Sequence, residues 1–279
     1  MFNRIKTVLL LGILSGIVLA AGYFIGGQNG ILIALAASLL MNFGTYWYSD
    51  KLVLRMYKAQ LASRKEYTGL HNIVEEVSHS AKIPKPTIYI VPSESCNAFA
   101  TGRDYQHSAI ACTEGILKLL NKDELKGVIA HELSHIKNRD TLIATIAASI
   151  AAIISYLSIF ARYFAMFGSR DRDGGRAGEI IALAILTPIL AMIIQLAISR
   201  TREYYADSTA AKITQKPQYL ANALAKLHKS AERIPLKMGA KATASLFIVN
   251  PFTGQAFLNI FSTHPPMEKR IERLLGMKV

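Results

Sequence analysis

The sequence predicts an α+β domain, mainly helical with a small sheet, that is anchored and interrupted by membrane-spanning helices. Three observations support this fold class. Uncharged stretches occupy Thr7–Ser49, Thr141–Ala161 and Ile180–Ser199. The polar segments between and after them combine helical periodicity with two short strand-like runs. The chain of 279 residues is long enough to pack a core beside the membrane helices.

The uncharged stretches predict four membrane helices. About 20 residues at a helical rise of roughly 1.5 Å cross a hydrocarbon core of about 30 Å. The first stretch therefore holds two spans, residues 7–26 and 31–49, separated by the turn-forming residues Gln28–Gly30. The other stretches hold one span each, residues 141–160 and 180–198.

Other interpretations of these stretches stay open. Residues 1–21 could be a cleaved signal peptide, although the apolar run continues past them. The two later helices could be buried in a soluble core or form a shallow hairpin, because their many Ala and Ser residues suit close helix packing in either setting.

Basic residues predict the orientation in the membrane. They precede the first span and follow the second, whereas the turn between these spans is uncharged. The positive-inside rule then places both termini and the 50–140 segment in the cytoplasm. Four arginines between the third and fourth spans argue against a full crossing there: Arg162, Arg170, Arg172 and Arg176.

The charge balance favours a lipid surface as the partner and argues against nucleic acid. The chain has 32 Lys+Arg against 19 Asp+Glu, a formal net charge of +13. No aromatic platform for bases accompanies the basic residues, so attraction to anionic lipid is the simpler explanation. Cys96 and Cys112 are expected to stay reduced in a segment that faces the cytoplasm.

The polar segments predict one cytoplasmic domain in two parts, residues 50–140 and 200–279. Residues 1–49 are its membrane anchor, and the membrane hairpin 141–199 divides it. In the first part, apolar spacing predicts a helix over Leu70–Ala81. Strands are predicted over Thr87–Val91 and Ser108–Thr113, around a polar turn.

A long helix then begins at Lys122, after Asn121 and with Glu124 in the pattern of a capping box. It contains the motif His131-Glu132-Leu133-Ser134-His135. Histidines four residues apart project from one helix face and can bind a single Zn²⁺ ion, while the intervening glutamate serves as a base towards water. The motif therefore predicts a zinc site with Glu132 as the catalytic base.

Glu203 is the predicted third zinc ligand. It lies five residues beyond the fourth span, about 7.5 Å along a helix, while His135 lies about 9 Å before the third span by the same rise. The two side chains are thus expected at a similar depth. Asp207, one turn further on, could accept a hydrogen bond from a ligating imidazole.

HELSH and REYYAD on either side of a hydrophobic hairpin, with two amino-terminal spans, resemble the HtpX-type membrane zinc proteases. These are gluzincins, distantly related to the CAAX prenyl protease type 1. The resemblance implies a zincin-like catalytic domain with a substrate-binding edge strand and one zinc ion per chain. It implies that His131, His135 and Glu203 are ligands, Glu132 the base and Asp207 the orienting carboxylate.

Two further segments resemble the family more weakly. Asn97, Ala98 and Phe99 match its substrate-binding edge strand, where Asn97 would orient the substrate backbone; an ordinary turn asparagine is the alternative. His264 belongs to a His-Pro element and would stabilise the oxyanion, and Arg270 would pair with active-site carboxylates. The alternative for this element is a simple helix start.

The resemblance implies an endopeptidase of the bacterial inner membrane, multi-pass, with its active site facing the cytoplasm. Its substrates would be misfolded or damaged membrane proteins, in protein quality control under stress. The alternatives are a noncatalytic membrane adaptor with a structural zinc site and a processing protease for lipidated peptides. The sequence leaves the natural substrates and the oligomeric state open.

Overall fold

A computed structural model describes residues 2–148, 200–234, 246–249 and 265–277 of the chain. Helices and a small sheet make up these residues, as predicted. The helices are α1 (Phe2–Met56), α2 (Thr68–Ala81), α3 (Glu114–Leu119), α4 (Lys122–Lys137), α5 (Arg200–Thr214), α6 (Pro217–Arg233) and α7 (Met267–Leu275). The strands are β1 (Gln60–Leu61), β2 (Thr87–Val91), β3 (Ala98–Gly102) and β4 (Ser108–Thr113).

Helix α1 contains both predicted amino-terminal spans and breaks at Gly27, whose φ of 59° and ψ of −139° are not helical. The two segments pack against each other: a Cβ atom on Gly22 would lie 2.6 Å from the carbonyl oxygen of Gly30. Further from the break, Asn42 Nδ2 donates a hydrogen bond of 2.7 Å to Ser15 Oγ. The chain therefore turns back on itself at Gly27, next to the predicted turn.

Among the described residues, one helical segment is long and apolar enough to cross a membrane, Gly26–Met56, with a mean hydropathy of 1.5. Only 17% of its most apolar window is buried, so its large apolar side chains face outward, as lipid contact requires. Four spans are therefore not established. The fourth predicted span lies outside the described residues, and so does the third, except that residues 141–148 are helical.

The sheet has the order β1-β2-β4-β3, so β3 is an edge strand in the described part of the chain. Strands β2 and β4 have the predicted bounds, but they pair in parallel rather than across a simple turn. The segment between them forms β3, which pairs antiparallel with β4. This arrangement places β3 beside α4, and the edge of β3 that faces away from β4 pairs with no other described strand.

Helix α4 is the central element of the described residues outside α1. Its predicted capping box is present: Glu124 N donates to Asn121 Oδ1 at 2.9 Å, and Asn121 N donates to Glu124 Oε2 at 3.0 Å. The helix packs on α2, β3, α5 and α6, so chain segments from before and after residues 149–199 share one core. Burial of α4 fixes the direction in which its histidines project.

The approach of α6 to α4 depends on Gly127. A Cβ atom at this position would lie 2.5 Å from Leu220 N and 2.6 Å from the carbonyl carbon of Tyr219. Because those neighbours are backbone atoms, they cannot move aside as a side chain would. A glycine is required at this close contact between the two helices.

Candidate metal centre and active site

Three metal-ligating side chains meet where α4 and α5 pack together. His131 and His135 lie one turn apart on α4, and their Nε2 atoms are 3.2 Å apart. Glu203 of α5 places its carboxylate oxygens 3.7 Å from His131 Nε2 and 3.6 Å from His135 Nε2. One ligand atom from each residue lies within 4.8 Å of the others. A single ion can therefore bind all three side chains.

Asp207 lies on the side of His131 that faces away from this centre, and Arg270 binds Asp207 and also lies 3.4 Å from His131 Nε2. Asp207 Oδ1 lies 3.0 Å from His131 Nδ1. Arg270, fully buried on α7, donates to Asp207 Oδ2 from Nε at 2.9 Å and to Asp207 Oδ1 from Nη2 at 2.7 Å. Burial opposes the charged form of Asp207, but Arg270 outweighs this and keeps the pKa of Asp207 below its ordinary value.

Arg270 also contacts Glu203, since its Nη1 lies 3.2 Å from Glu203 Oε2. One guanidinium group thus links a metal-ligating carboxylate to the carboxylate that contacts His131. Rigid bidentate pairing of this kind suits arginine rather than lysine. Three chain segments that are distant in sequence, α4, α5 and α7, are fixed relative to one another at this point.

A second carboxylate, Asp140, contacts the other histidine. Its Oδ2 atom lies 3.5 Å from His135 Nδ1, and its Oδ1 atom lies 3.8 Å from Arg202 Nε. Sequence reasoning missed both Asp140 and Arg202. The available signal was the position of Asp140 five residues after a ligating histidine, but its partner Arg202 lies 62 positions further along the chain.

Glu132 lines the same cleft and is 2% exposed. Burial raises the pKa of Glu132 to about 7, against the opposing effects of His135 and of a backbone hydrogen bond from Ala100. For His135, burial lowers the pKa, but Asp140, Glu203 and Glu132 outweigh it and raise the value to about 9. The surroundings of His135 thus favour positive charge in the cleft.

The residues of this site fit a zinc ion. Two imidazoles and one carboxylate are a donor set typical of catalytic Zn²⁺, whereas Mg²⁺ and Ca²⁺ prefer oxygen ligands alone. With neutral histidines, the four carboxylates and two guanidinium groups of the described site leave an excess of two negative charges, which one divalent ion balances. These groups are Glu132, Asp140, Glu203, Asp207, Arg202 and Arg270.

Residues 246–249, which we call the 246–249 segment, lie along the edge of β3 that does not pair with β4. Ile248 N donates a hydrogen bond of 3.3 Å to the carbonyl oxygen of Ala98. Asn97 Nδ2 donates to Val249 O at 2.7 Å, and Val249 N donates to Asn97 Oδ1 at 3.4 Å. The Asn97 side chain, predicted to orient a substrate backbone, is thus occupied by a neighbouring segment of its own chain.

The 246–249 segment also forms one wall of the metal-binding cleft. Leu246, Phe247 and Ile248 line it together with Ala100 and the metal-ligating side chains. Phe247 is fully buried against the rings of Tyr57 and Phe99, at centroid distances of 5.0 and 5.2 Å. The side chain of Phe99 therefore belongs to the core.

The structure brings together six of the predicted site residues around this cleft. They are the candidate metal ligands His131, His135 and Glu203, the glutamate between the histidines, Glu132, and the ion pair of Asp207 and Arg270. Ala98 lies on the edge strand β3 and is fully buried. Asn97 and Phe99 are buried in the packing next to the cleft. His264 lies outside the described residues.

A mixed α+β fold with two histidines of an HExxH helix and a distant glutamate around one point defines a metal-dependent peptidase. The model of the family described as Peptidase family M48 matches residues 64–278. The chain belongs to this family, and it is a metalloprotease.

Full-length relatives agree with the family match. The chain is 55% identical over 272 residues to a Protease HtpX homolog of Pyrococcus furiosus, covering 97% of this chain and 94% of the relative. It is 49% identical over 283 residues to a Protease HtpX homolog of Desulfatibacillum aliphaticivorans, covering 100% and 91%.

The crystal structure of S. mikatae Ste24p shares the fold. Its TM-score is 0.53 at 17% sequence identity, and the match covers 98% of this chain and 65% of that longer chain.

Proposed function

We propose that this protein is a zinc endopeptidase of the cell membrane that cleaves misfolded or damaged membrane proteins at the cytoplasmic surface. The convergence of His131, His135 and Glu203 beside a buried Glu132 is the observation that carries the proposal. A catalytic zinc site needs three protein ligands and an open position, which this donor set provides.

In the proposed reaction, each described side chain has a defined task. Bound zinc would lower the pKa of water and polarise the scissile carbonyl group. Glu132 would accept a proton from the attacking water through its carboxylate and deliver it to the leaving amine. Its pKa of about 7 without metal would fall next to a divalent ion, so that the carboxylate is ionised and ready to accept that proton.

The part of the β3 edge that the 246–249 segment leaves uncovered, beyond Ala98, would bind the substrate backbone. An extended peptide can add to an exposed edge through main-chain hydrogen bonds, which are independent of sequence and suit a protease with many substrates. The proposed role of His264 in stabilising the oxyanion follows from the resemblance alone. The domain organisation, with a membrane hairpin between the two parts of the protease domain, also stays a proposal.

The location of the site supports membrane proteins as substrates. The outward-facing apolar helix Gly26–Met56 leads directly to β1 of the sheet. Peptide segments that emerge from the bilayer would therefore be the nearest substrates. Relatives occur in organisms as different as Pyrococcus furiosus and Desulfatibacillum aliphaticivorans, so we propose a cell membrane and keep the bacterial inner membrane as the narrower hypothesis.

Zinc content and cleavage, measured on the same purified samples in liposomes, test the proposal. The wild type is expected to bind zinc and to cleave a destabilised membrane protein faster than its folded form. Glu132→Ala should keep the zinc and lose at least about 100-fold in rate, since general-base catalysis contributes about 10²–10⁴-fold. Glu203→Ala should lose the zinc itself.

Glu66→Ala, a change at an exposed glutamate, is the matched control and should behave as the wild type. A zinc-loaded and fully active Glu132→Ala protein would overturn the catalytic assignment. Equal cleavage of folded and destabilised membrane proteins would overturn the substrate class while leaving the protease activity intact.

A further inference from the structure

The two metal-ligating histidines are held in the same way. Each presents Nε2 to the centre and turns Nδ1 towards an aspartate: His131 to Asp207 at 3.0 Å, His135 to Asp140 at 3.5 Å. A carboxylate behind a ligating imidazole fixes which nitrogen carries the proton and raises the basicity of the other nitrogen. The family resemblance assigns such a role to Asp207 but not to Asp140.

The position of Asp140 is determined by the end of α4. After α4 the chain passes through Arg139, whose φ is +58°, and Asp140 N donates a hydrogen bond of 2.9 Å to the carbonyl oxygen of His135. This bond directs the Asp140 side chain back over the imidazole. Asp140 is 6% exposed, so its carboxylate is costly to keep there without positive partners.

Arg202, which follows residues 149–199 in the chain, provides a positive partner. Its Nε atom lies 3.8 Å from Asp140 Oδ1, and both side chains line the cleft. Arg202 directly precedes the ligand Glu203 in α5, while Asp140 directly precedes the helical residues 141–148. The contact therefore joins the chain where it leaves α4 to the chain where it returns in α5.

We propose that Asp140 is a positioning residue for the metal site, which orients His135 for coordination through Nε2 and is itself held by Arg202. The Asp140–Arg202 pair joins the two ends of the 141–199 segment. The spacing between these ends thereby fixes the distance between His135 and Glu203. The proposal rests on the proposed zinc site but assigns a residue that neither the motif nor the resemblance includes.

A purely structural role for Asp140 is the competing explanation, because its backbone already closes the end of α4. The two explanations differ in the side chain. Asp140→Asn keeps the backbone hydrogen bond and the shape of the residue but removes the negative charge towards His135 and Arg202. A structural role predicts lower thermal stability with unchanged metal binding, and a positioning role predicts weaker metal binding.

Zinc affinity of the full-length protein, measured by competition with a chelator, distinguishes these explanations. Asp140→Asn is expected to bind zinc 10- to 100-fold more weakly, the usual cost of losing such a carboxylate. The visible spectrum of the Co²⁺-substituted protein should shift as well, since it reports the ligand geometry. Asp140→Glu, which restores the charge, should recover part of the affinity.

The chain offers a matched control in Asp104, whose Oδ1 atom lies 2.8 Å from His107 Nδ1 on the exposed surface. Asp104→Asn breaks a contact of the same type away from the metal and should leave zinc affinity and the Co²⁺ spectrum unchanged. If Asp140→Asn does not fold, Arg202→Gln tests the same chain of contacts with Asp140 in place, and a several-fold loss of zinc affinity is expected.

This inference would be overturned if the folded Asp140→Asn protein had wild-type zinc affinity and an unshifted Co²⁺ spectrum. If Asp140→Asn does not fold, the same result for Arg202→Gln would overturn it. Failure of the proposed function gives a different result, because the wild type would then bind no zinc or show no cleavage. Both outcomes are read from the same titration and activity samples.

Discussion

At the scale of single residues, the charged side chains of the cleft are buried, and almost all of them contact a group of opposite charge. Arg270 is the largest buried side chain of the described protein, and it contacts two carboxylates of the site. Removing one member of such a cluster leaves an uncompensated charge in a low-dielectric environment, which is more costly than the net value of the pair. This cluster of charged side chains therefore contributes more to the precise placement of the metal-ligating side chains than to the free energy of unfolding.

The pKa of Glu132 predicts a pH-dependent stability of the metal-free protein. The folded state raises this pKa from 4.5 to about 7, so it binds the proton more tightly than the unfolded chain. The stabilisation by the bound proton is fully present below about pH 4.5 and is lost as the pH rises through 7. We expect wild-type stability to fall by about 3 kcal/mol relative to Glu132→Gln over this range.

Unfolding of both proteins in the presence of a chelator, at pH 5 and pH 8, measures this difference. The comparison also includes the coupling of Glu132 to His135, because each contributes to the pKa of the other. A difference that does not change with pH would contradict the prediction. Zinc-saturated samples are the control, since the ion keeps Glu132 ionised and should remove most of the pH dependence.

Local chemistry allowed much of the site to be predicted at this scale. The spacing of His131 and His135 and the capping box of Asn121 are short-range patterns, and the structure places them on one helix. The contact of Asp140 with Arg202 and the pairing of Asn97 with Val249 were not predictable, because they depend on contacts between segments distant in sequence. No local propensity records which distant group completes a hydrogen bond.

At the scale of secondary-structure elements, the close packing of α4 and α6 makes a specific prediction. Gly127→Ala would place a Cβ atom 2.5 Å from Leu220 N, so the helices must move apart. We expect a loss of about 1–3 kcal/mol in the free energy of unfolding, the usual cost of overpacking, together with weaker zinc binding because α4 carries two ligands.

Gly69→Ala in α2 is the control, because no atom lies within 4 Å of a Cβ at that position. It should leave stability unchanged or increase it by up to about 1 kcal/mol, since alanine restricts the unfolded chain. Chemical or thermal unfolding in detergent measures both variants. Equal effects of the two substitutions would contradict the role of Gly127 in helix packing.

The sheet shows where sequence patterns were sufficient at this scale and where they were not. The bounds of β2 and β4 follow from their runs of β-branched and apolar residues, and both were predicted to the residue. Their parallel pairing was not predicted, because the order of strands depends on how the intervening segment packs. Strand β3 came from the family resemblance, since its small residues carry little strand preference.

At the scale of the whole molecule, the orientation in the membrane is a prediction that labelling can test. Both natural cysteines are buried, so introduced cysteines dominate the reaction with a membrane-impermeant thiol reagent. We expect Gln28→Cys, in the turn of α1, to react from outside the cell, and Lys65→Cys to react only after the membrane is opened. External labelling of Lys65→Cys would reverse the predicted topology.

Arg172→Cys decides between the two arrangements of the 141–199 segment in the same assay. A full crossing predicts that it reacts from outside, whereas a shallow hairpin predicts that it stays protected until the membrane is opened. Sequence alone could not separate these arrangements, because uncharged length favours a crossing while the four arginines favour the cytoplasmic side.

The 246–249 segment would close one end of the proposed substrate groove along β3. The N–H group of Ala98 donates to Asn97 Oδ1, and its carbonyl oxygen accepts from Ile248 N, so this residue has no main-chain bond to offer to a second strand. Because the N–H group of Ala100 donates to Glu132, a peptide in the proposed groove would pair with β3 only from the Ala100 carbonyl group onward and would turn away at Ala98. Such a groove would contact few substrate residues on one side of the scissile bond, so we expect cleavage preference to depend mainly on residues on the other side.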